Sequence, residues 1–264
     1  MSIKLIAIDL DDTLLDDNRN ISPQNQAAVL EAVRRGVIVT VSTGRMYHSA
    51  LPFAKQLKLD VPLIVYNGAM IKTSLSEELI YHQPVDPAVA KEVFYLAKKN
   101  NWYVQSYIND SLYVSKLNDL AKNYATLAKV EIAFAGEGFY DIPEVSTKLM
   151  IQDEVEKIPA IRTELKSTLD GKLSITTSKP TFLEITNYGV NKGSALTILA
   201  SRLGIDRENI MAIGDSGNDI EMLQFAKWSV AMENATVEAK AAACFKTGTN
   251  NANGVAEAIE KFVL

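Results

Sequence analysis

Asp9 and Asp11 stand two residues apart in the run Asp9-Leu10-Asp11-Asp12-Thr13, directly after the apolar stretch Ile3 to Ile8. Residues two apart in an extended backbone point to the same side. Two carboxylates about 4 Å apart repel by roughly 4 kcal/mol at an effective dielectric near 20, so a cation is needed to relieve them. Further along, Gly214-Asp215-Ser216-Gly217-Asn218-Asp219 adds two carboxylates and an amide. With Asp215 and Asp219 four apart at a helix start, both can face one metal, with Asn218 beside them. The chain has one cysteine, Cys244, and two histidines, His48 and His82, too few for a Cys/His zinc site. Any metal therefore sits on oxygen, and an oxygen-only set with room for water suits Mg²⁺, which also holds phosphate oxygens well.

Two more segments fit an anion. Ser42-Thr43-Gly44-Arg45 offers a hydroxyl and a glycine-exposed N–H at the start of a helix, where anions bind. Lys192 opens a later helix and can balance the acidic cluster if the strands around it share one pocket. Each segment also has a plainer reading. Asp11 and Asp12 would only begin a turn, Thr43 would only cap a helix, and Asp215 and Asp219 would only complement a helix dipole. His48 follows the Thr43 turn and is placed beside the same pocket, His82 reads as structural, and Cys244 as a small core residue.

The elements that must position these residues follow from pattern. Short apolar runs at 3–8, 37–41 and 63–66 alternate with helices, one opened by Ser22-Pro23 and closed by Gly36, the next covering about 46–57. This is a βαβαβ run of a parallel sheet covered on both faces. The acidic run and the Thr43 run fall at carboxyl ends of strands, where ligand sites of open α/β sheets lie. From Asn191 the same texture returns, with a helix through Leu196, Leu199 and Leu203, strands at 210–213 and 229–231, a helix near 218–225 and a last helix with the stripe Val255, Ile259 and Val263.

Between them the texture changes. Asp86-Pro87 caps a helix to about Lys99, and 102–108 alternates, so its sheet has unlike faces. Asn109-Asp110 is a hairpin turn into 112–114, and strands near 147–152, 172–177 and 181–186 flank a helix at about 154–167. The expectation is a discontinuous α/β core of residues 1–83 and 188–264, interrupted by an α+β insert of residues 84–187.

Of the 264 residues, 47% are apolar and 22% charged, enough for a large core. A net charge of -5 argues against nucleic acid as a partner. The opening run meets Asp9 too early for a signal peptide, and no charge-free stretch approaches a membrane span, so a soluble cytoplasmic protein is expected.

The four motifs, in this order, resemble the haloacid dehalogenase superfamily of aspartate-nucleophile phosphohydrolases. The insert's position and texture are similar to the C2-type cap of its Cof-type branch, which includes sugar-phosphate phosphatases. Phe182-Leu183-Glu184-Ile185 and Asn191-Lys192-Gly193 look like the stretch by which that branch re-enters its core. The resemblance covers essentially the whole chain and implies a doubly wound, Rossmann-like core. Asp12 stands where many relatives carry Gly and others Asp, so it is not read as catalytic.

The resemblance further implies that Asp9 is the nucleophile that becomes an aspartyl-phosphate and that Asp11 protonates the leaving oxygen, then activates water. Mg²⁺ would be held by Asp9, the Asp11 carbonyl and Asp215, with Asp219 behind them or as an occasional ligand. Leu10 and Gly44 N–H groups, Thr43, Lys192 and Asn218 would bind phosphoryl oxygens. The partner implied is a small phosphorylated metabolite. Two alternatives stay open: a phosphomutase with the same nucleophile, and a receiver-like phosphoacceptor, which the length, the insert and the Asp9/Asp11 spacing disfavour. Specificity falls to the insert, where Tyr103, Gln105 and Tyr107 share one strand face and Trp102, Val104 and Ile108 the other. The first face would meet the substrate and the second would pack on helices; the alternative is a merely solvated polar face.

Overall fold

The computed structural model describes residues 2–57, 60–142 and 144–264. The chain divides into two compact units: residues 1–44, 50–81 and 191–264 form the first, and residues 45–49 and 82–190 the second.

In the first unit, β1 (Leu5–Asp9) is wholly buried, which is why it reads as an unbroken apolar run. α1 (Pro23–Arg34) starts where Ser22 accepts the Asn25 N–H and Pro23 takes the first turn. β2 (Ile38–Ser42), α2 (Tyr47–Gln56), which begins in the second unit, and β3 (Pro62–Val65) follow. Two strands then appear that the apolar pattern did not disclose, β4 (Met70–Thr73) and β5 (Leu79–His82). β4 folds back antiparallel on β3, and both strands are partly exposed at the sheet's edge. A half-exposed edge strand needs no continuous apolar run.

The second unit comprises α3 (Pro87–Asn100), β6 (Tyr103–Ile108), β7 (Ser111–Val114), α4 (Asp119–Ala128), β8 (Ile132–Phe134), β9 (Lys148–Gln152), α5 (Ile158–Leu169), β10 (Leu173–Lys179) and β11 (Phe182–Asn187). The turn at Asn109-Asp110 has φ of 49° and 57°, the left-handed pair that a two-residue hairpin requires. Its sheet runs β10-β11-β9-β6-β7-β8. Val104, Leu149, Ile151, Leu183 and Ile185 on one face form a core with Val93, Phe94 and Ala97 of α3 and Ile161, Leu165 and Leu169 of α5. Phe139 is fully buried, with its ring 5.2 Å edge-on from Phe94. The segment 115–146, silent in sequence, supplies α4, β8 and this Phe139 turn.

The chain completes the first unit with α6 (Lys192–Leu203), β12 (Ile210–Gly214), α7 (Ile220–Phe225), β13 (Trp228–Ala231), α8 (Val237–Ala242), β14 (Phe245–Lys246) and α9 (Gly254–Phe262). Its sheet has the order β14-β13-β12-β1-β2-β3-β4-β5 and is parallel from β14 to β3. The result is an α/β core whose sheet is mixed at one edge. The chain runs outward from β1 through β2 and β3, then returns on the other side at β12, so strand order reverses beside β1. That reversal opens the crevice in which such sheets bind ligands. Cys244 is not a core residue: it is exposed between α8 and β14, where its N–H donates to Ser229.

Candidate active site

β1 ends at Asp9, whose side chain is buried, and parallel β12 lies beside it with Ile8 opposite Ile213. The residues that follow, Asp9 on one strand and Gly214-Asp215 on the other, therefore arrive side by side at the same sheet edge. Asp219 folds back over this edge and accepts the N–H groups of Asp215 and Ser216, each at 3.0 Å. A Cβ on Gly214 would stand 2.7 Å from the Asp219 carboxyl carbon, so the glycine makes room for that carboxylate.

Lys192 enters from α6, whose start is fixed by a reciprocal cap between Asn191 and Ser194. Its Nζ lies 2.5 Å from Asp9 Oδ1 and 2.6 Å from Asp219 Oδ1, with the side chain wholly buried. Gly193 lets α6 come down on α7, since a Cβ there would lie 2.5 Å from the Glu221 carbonyl oxygen. Thr13 donates its hydroxyl to Asp215 Oδ1 at 2.9 Å. The loop carrying Asp11 is pinned by Leu15 N–H to the Leu10 carbonyl at 2.9 Å and by Asn234 to the Asp12 carbonyl at 2.7 Å. Asp12 sits at φ 59°, a left-handed conformation that Gly adopts freely and Asp tolerates. The Gly/Asp alternation expected there thus has a backbone cause.

Asp9, Asp215 and Asp219 offer oxygens that all lie within 4.8 Å of one another. Three carboxylates face one ammonium, and the imbalance shows in the acidity of Asp9 and Asp215. Burial, then the Asp219 charge, hold Asp9 well above the usual carboxylate range despite Lys192. Asp215 is pushed up to about 7, again by burial and then by Asp219, with the Thr13 hydrogen bond pulling the other way. Burial works against the Lys192 charge, but Asp219 and Asp9 overcome it and hold the ammonium above its ordinary value.

This donor set fits a divalent cation. It is all oxygen, its three carboxylates outnumber the one ammonium of Lys192, and its spread suits an ion whose opposite ligands stand about 4 Å apart. Within it Asp219 is already committed, one oxygen to Lys192 and the other to two backbone N–H groups.

The anion-binding candidates meet the same edge. Thr43 is buried at the end of β2; its N–H donates to the Ile64 carbonyl and its carbonyl accepts from Asn67 N–H at 3.1 Å. Asn67 Oδ1 accepts from Asn218 Nδ2 at 3.0 Å, so Asn67 bridges Thr43 and Asn218. Gly44, directly after Thr43, is half-buried, and Leu10, directly after Asp9, is buried. Asp11 is half-buried in extended backbone and stands outside the converging trio.

Thr13 and Asn67 had no role in the sequence reading. Thr13 closes the D-x-D-x-T run, and Asn67 at φ 54° is the left-handed Asn of an Asn-Gly pair, so both carried a signal. His48, expected beside this pocket, belongs to the second unit and lines a cavity of about 690 Å³ there with Met46, Asp110, Ser111 and Lys129. Its backbone N–H donates to Asp110. His82 bonds Thr147 at 3.0 Å in the second unit. Tyr103, Gln105 and Tyr107 also lie in the second unit and are tied to one another. Gln105 Nε2 donates to the Tyr103 hydroxyl at 3.0 Å, and the Tyr107 hydroxyl faces Gln105 Oε1 at 3.4 Å.

Residues 6–259 match the family of haloacid dehalogenase-like hydrolases. The chain belongs to that family. It is 34% identical to a 5-amino-6-(5-phospho-D-ribitylamino)uracil phosphatase of Bacillus subtilis, covering 100% of this chain and 97% of the relative. A second Bacillus subtilis phosphatase of the same name is 32% identical, over 99% and 98% of the two chains. The solved structure of a haloacid dehalogenase-like hydrolase from Bacteroides thetaiotaomicron superposes with a TM-score of 0.88 at 31% identity, over 98% and 99% of the chains. This chain is therefore a haloacid dehalogenase-like hydrolase, with the cluster at the β1/β12 edge as its candidate site. Among the described residues no helix is long and apolar enough to cross a membrane.

Proposed function

We propose that the protein is a cytoplasmic, Mg²⁺-dependent phosphomonoester hydrolase that acts on small sugar or polyol phosphates through an aspartyl-phosphate on Asp9. The observation that carries this reading is the Asp9 carboxylate at the end of β1, held by Lys192 at 2.5 Å beside Asp215.

In this reading Asp9 attacks phosphorus in line as the ester oxygen departs. Lys192 orients the nucleophile and offsets the negative charge of the phosphoryl group. Asp11 gives a proton to the leaving oxygen, then takes one from the water that cleaves the acyl phosphate. Thr43, Asn218 and the N–H groups of Leu10 and Gly44 hold the phosphoryl oxygens. Asp9, Asp215 and the Asp11 carbonyl would hold Mg²⁺, with Asp219 anchoring Lys192 behind them; the bound ion shields phosphate charge and positions the phosphoryl group. The insert acts as the cap that reads the rest of the substrate. The Bacillus subtilis relatives support the substrate class, since they are named for a compound whose phosphate sits on a polyhydroxylated ribityl chain.

The test is phosphate release from a panel of phosphorylated metabolites and p-nitrophenyl phosphate. Turnover should require Mg²⁺ and vanish in excess EDTA, Asp9→Asn should abolish it with the fold intact, and Asp11→Asn should impair it severely. Isomerisation of a hexose 1-phosphate without free phosphate would make the protein a mutase. A phosphorylated form that persists would make it a phosphoacceptor. Full turnover in EDTA, or by Asp9→Asn, would overturn the mechanism.

A further inference from the structure

The turn between β3 and β4 is held in shape by the site beside it rather than by its own preferences. Val65 pairs with Met70, so residues 66–69 make a four-residue hairpin loop. Such loops are most often built around a type I turn, whose central residues have negative φ. Here Tyr66 and Asn67 both have φ of 54° and Gly68 has 97°, three left-handed residues in succession. A bulky residue is disfavoured there because its Cβ crowds the following carbonyl oxygen. Backbone of this kind persists where the surroundings over-determine it, and it gathers at functional sites.

The ties of this turn run to the site, within the first unit. Asn67, 1% exposed, donates its N–H to the Thr43 carbonyl at 3.1 Å and accepts from Asn218 Nδ2 at 3.0 Å. Gly68 lies against the Asn191 carbonyl at the head of α6. Asn218 depends most on this arrangement. Ser216 Oγ donates to Asn218 Oδ1 at 2.6 Å, and Asn67 takes one Nδ2 N–H, which leaves the second N–H without a partner among the described residues. A carboxamide can turn end over end, exchanging oxygen and nitrogen. Turned over, Asn218 would set its oxygen against Asn67 Oδ1, and a lone pair would replace that second N–H. Ser216 does not prevent this, since a hydroxyl accepts as well as donates, and its proton has Asp219 Oδ2 3.4 Å away. The side-chain oxygen of Asn67 is the group that forbids the turn.

We propose that Asn67 is a positioning residue for the phosphoryl group: its Oδ1 locks the Asn218 amide so that the second N–H is kept for a phosphoryl oxygen. Its backbone N–H ties the same turn to Thr43. The inference rests on the phosphatase reading above and deepens it. Asn218 favours an anion only in one orientation, and Asn67 sets that orientation.

The test is a double-mutant cycle. Asn67→Gly removes the oxygen and leaves a residue at ease in left-handed backbone, while Asn218→Ala removes the amide it orients. Rates are measured with Mg²⁺ on p-nitrophenyl phosphate and on the best substrate of the panel above, and the affinity for inorganic phosphate by calorimetry. In the wild-type background Asn67→Gly should lower kcat/KM about tenfold, by the same factor on both esters, and weaken inorganic phosphate similarly. In the Asn218→Ala background the same change should cost less than about twofold in rate or phosphate affinity, because the group it acts through is gone. Equal losses in the two backgrounds, or loss of the fold in Asn67→Gly, would give Asn67 a structural role and overturn the proposal. An active wild type whose rates and phosphate affinity Asn67→Gly leaves unchanged would overturn this proposal alone. A wild type inactive on every ester would overturn the phosphatase reading, and this one with it.

Discussion

Lys192 is the residue on which the electrostatics of the site turn. It is wholly buried and bonds two carboxylates, so it cannot be exchanged for a neutral side chain without leaving both charges in a dry site. Removing one partner from a buried ion pair costs about 3–5 kcal/mol. Lys192→Met should therefore lose on the order of that much stability in metal-free protein, measured by urea unfolding, besides losing turnover. Added Mg²⁺ should recover part of the stability, since a cation at Asp9 and Asp215 replaces some of the missing charge. Thr13 and Asn67 act one step further out: Thr13 holds Asp215, and Asn67 joins Thr43 to Asn218.

At the scale of elements, the site depends on backbone segments that approach more closely than side chains allow. Gly68 is the sharpest case. It has φ of 97°, and a Cβ there would stand 2.2 Å from the Asn191 carbonyl oxygen. Asn191 is the cap of α6, so this contact fixes the helix that delivers Lys192. Gly68→Ala combines a forbidden backbone conformation with overpacking against the main chain and should cost at least about 2 kcal/mol. Because α6 must shift, kcat should fall with it. Urea unfolding and steady-state rates check both effects. A stable variant of normal activity would mean that the position of α6 is set elsewhere. Gly193 does the same for the contact of α6 with α7, and Gly214 for the fold-back of Asp219.

For the molecule as a whole, each unit owns a core. The first centres on a sheet whose middle strands β1 and β12 are buried throughout, and the second on the cluster between its sheet and helices α3 and α5. A cation bound at the β1/β12 edge acts on the first core. A ligand at a hundred times its dissociation constant stabilises by about 2.7 kcal/mol. Mg²⁺ should therefore raise the melting temperature of the wild type, EDTA should reverse the gain, and Asp215→Asn should abolish it. Differential scanning calorimetry checks this without reference to catalysis. An equal rise in Asp215→Asn would place the ion elsewhere.

Much of this was legible in the chain itself, for a local reason. A strand buried on both faces must read as an apolar run, and a ligand site at its carboxyl end must begin where the run stops. Asp9, Thr43 and Asp215 stand at just such boundaries, and Ser22-Pro23, Asp86-Pro87 and Asn109-Asp110 announce their caps and turn in the same way. Edge and surface elements carry no such obligation. β4, β5, α4, β8, α8 and β14 went unread because half-exposed segments place few demands on side-chain type. Cys244 was misjudged because a residue type has an average burial and a position has an actual one. Relations between distant residues had to wait for the fold. No spacing rule links Lys192 to Asp9, Asn67 to Asn218, or Tyr103 to Gln152, because parallel crossovers and strand register, set by packing of the whole sheet, decide which of them meet.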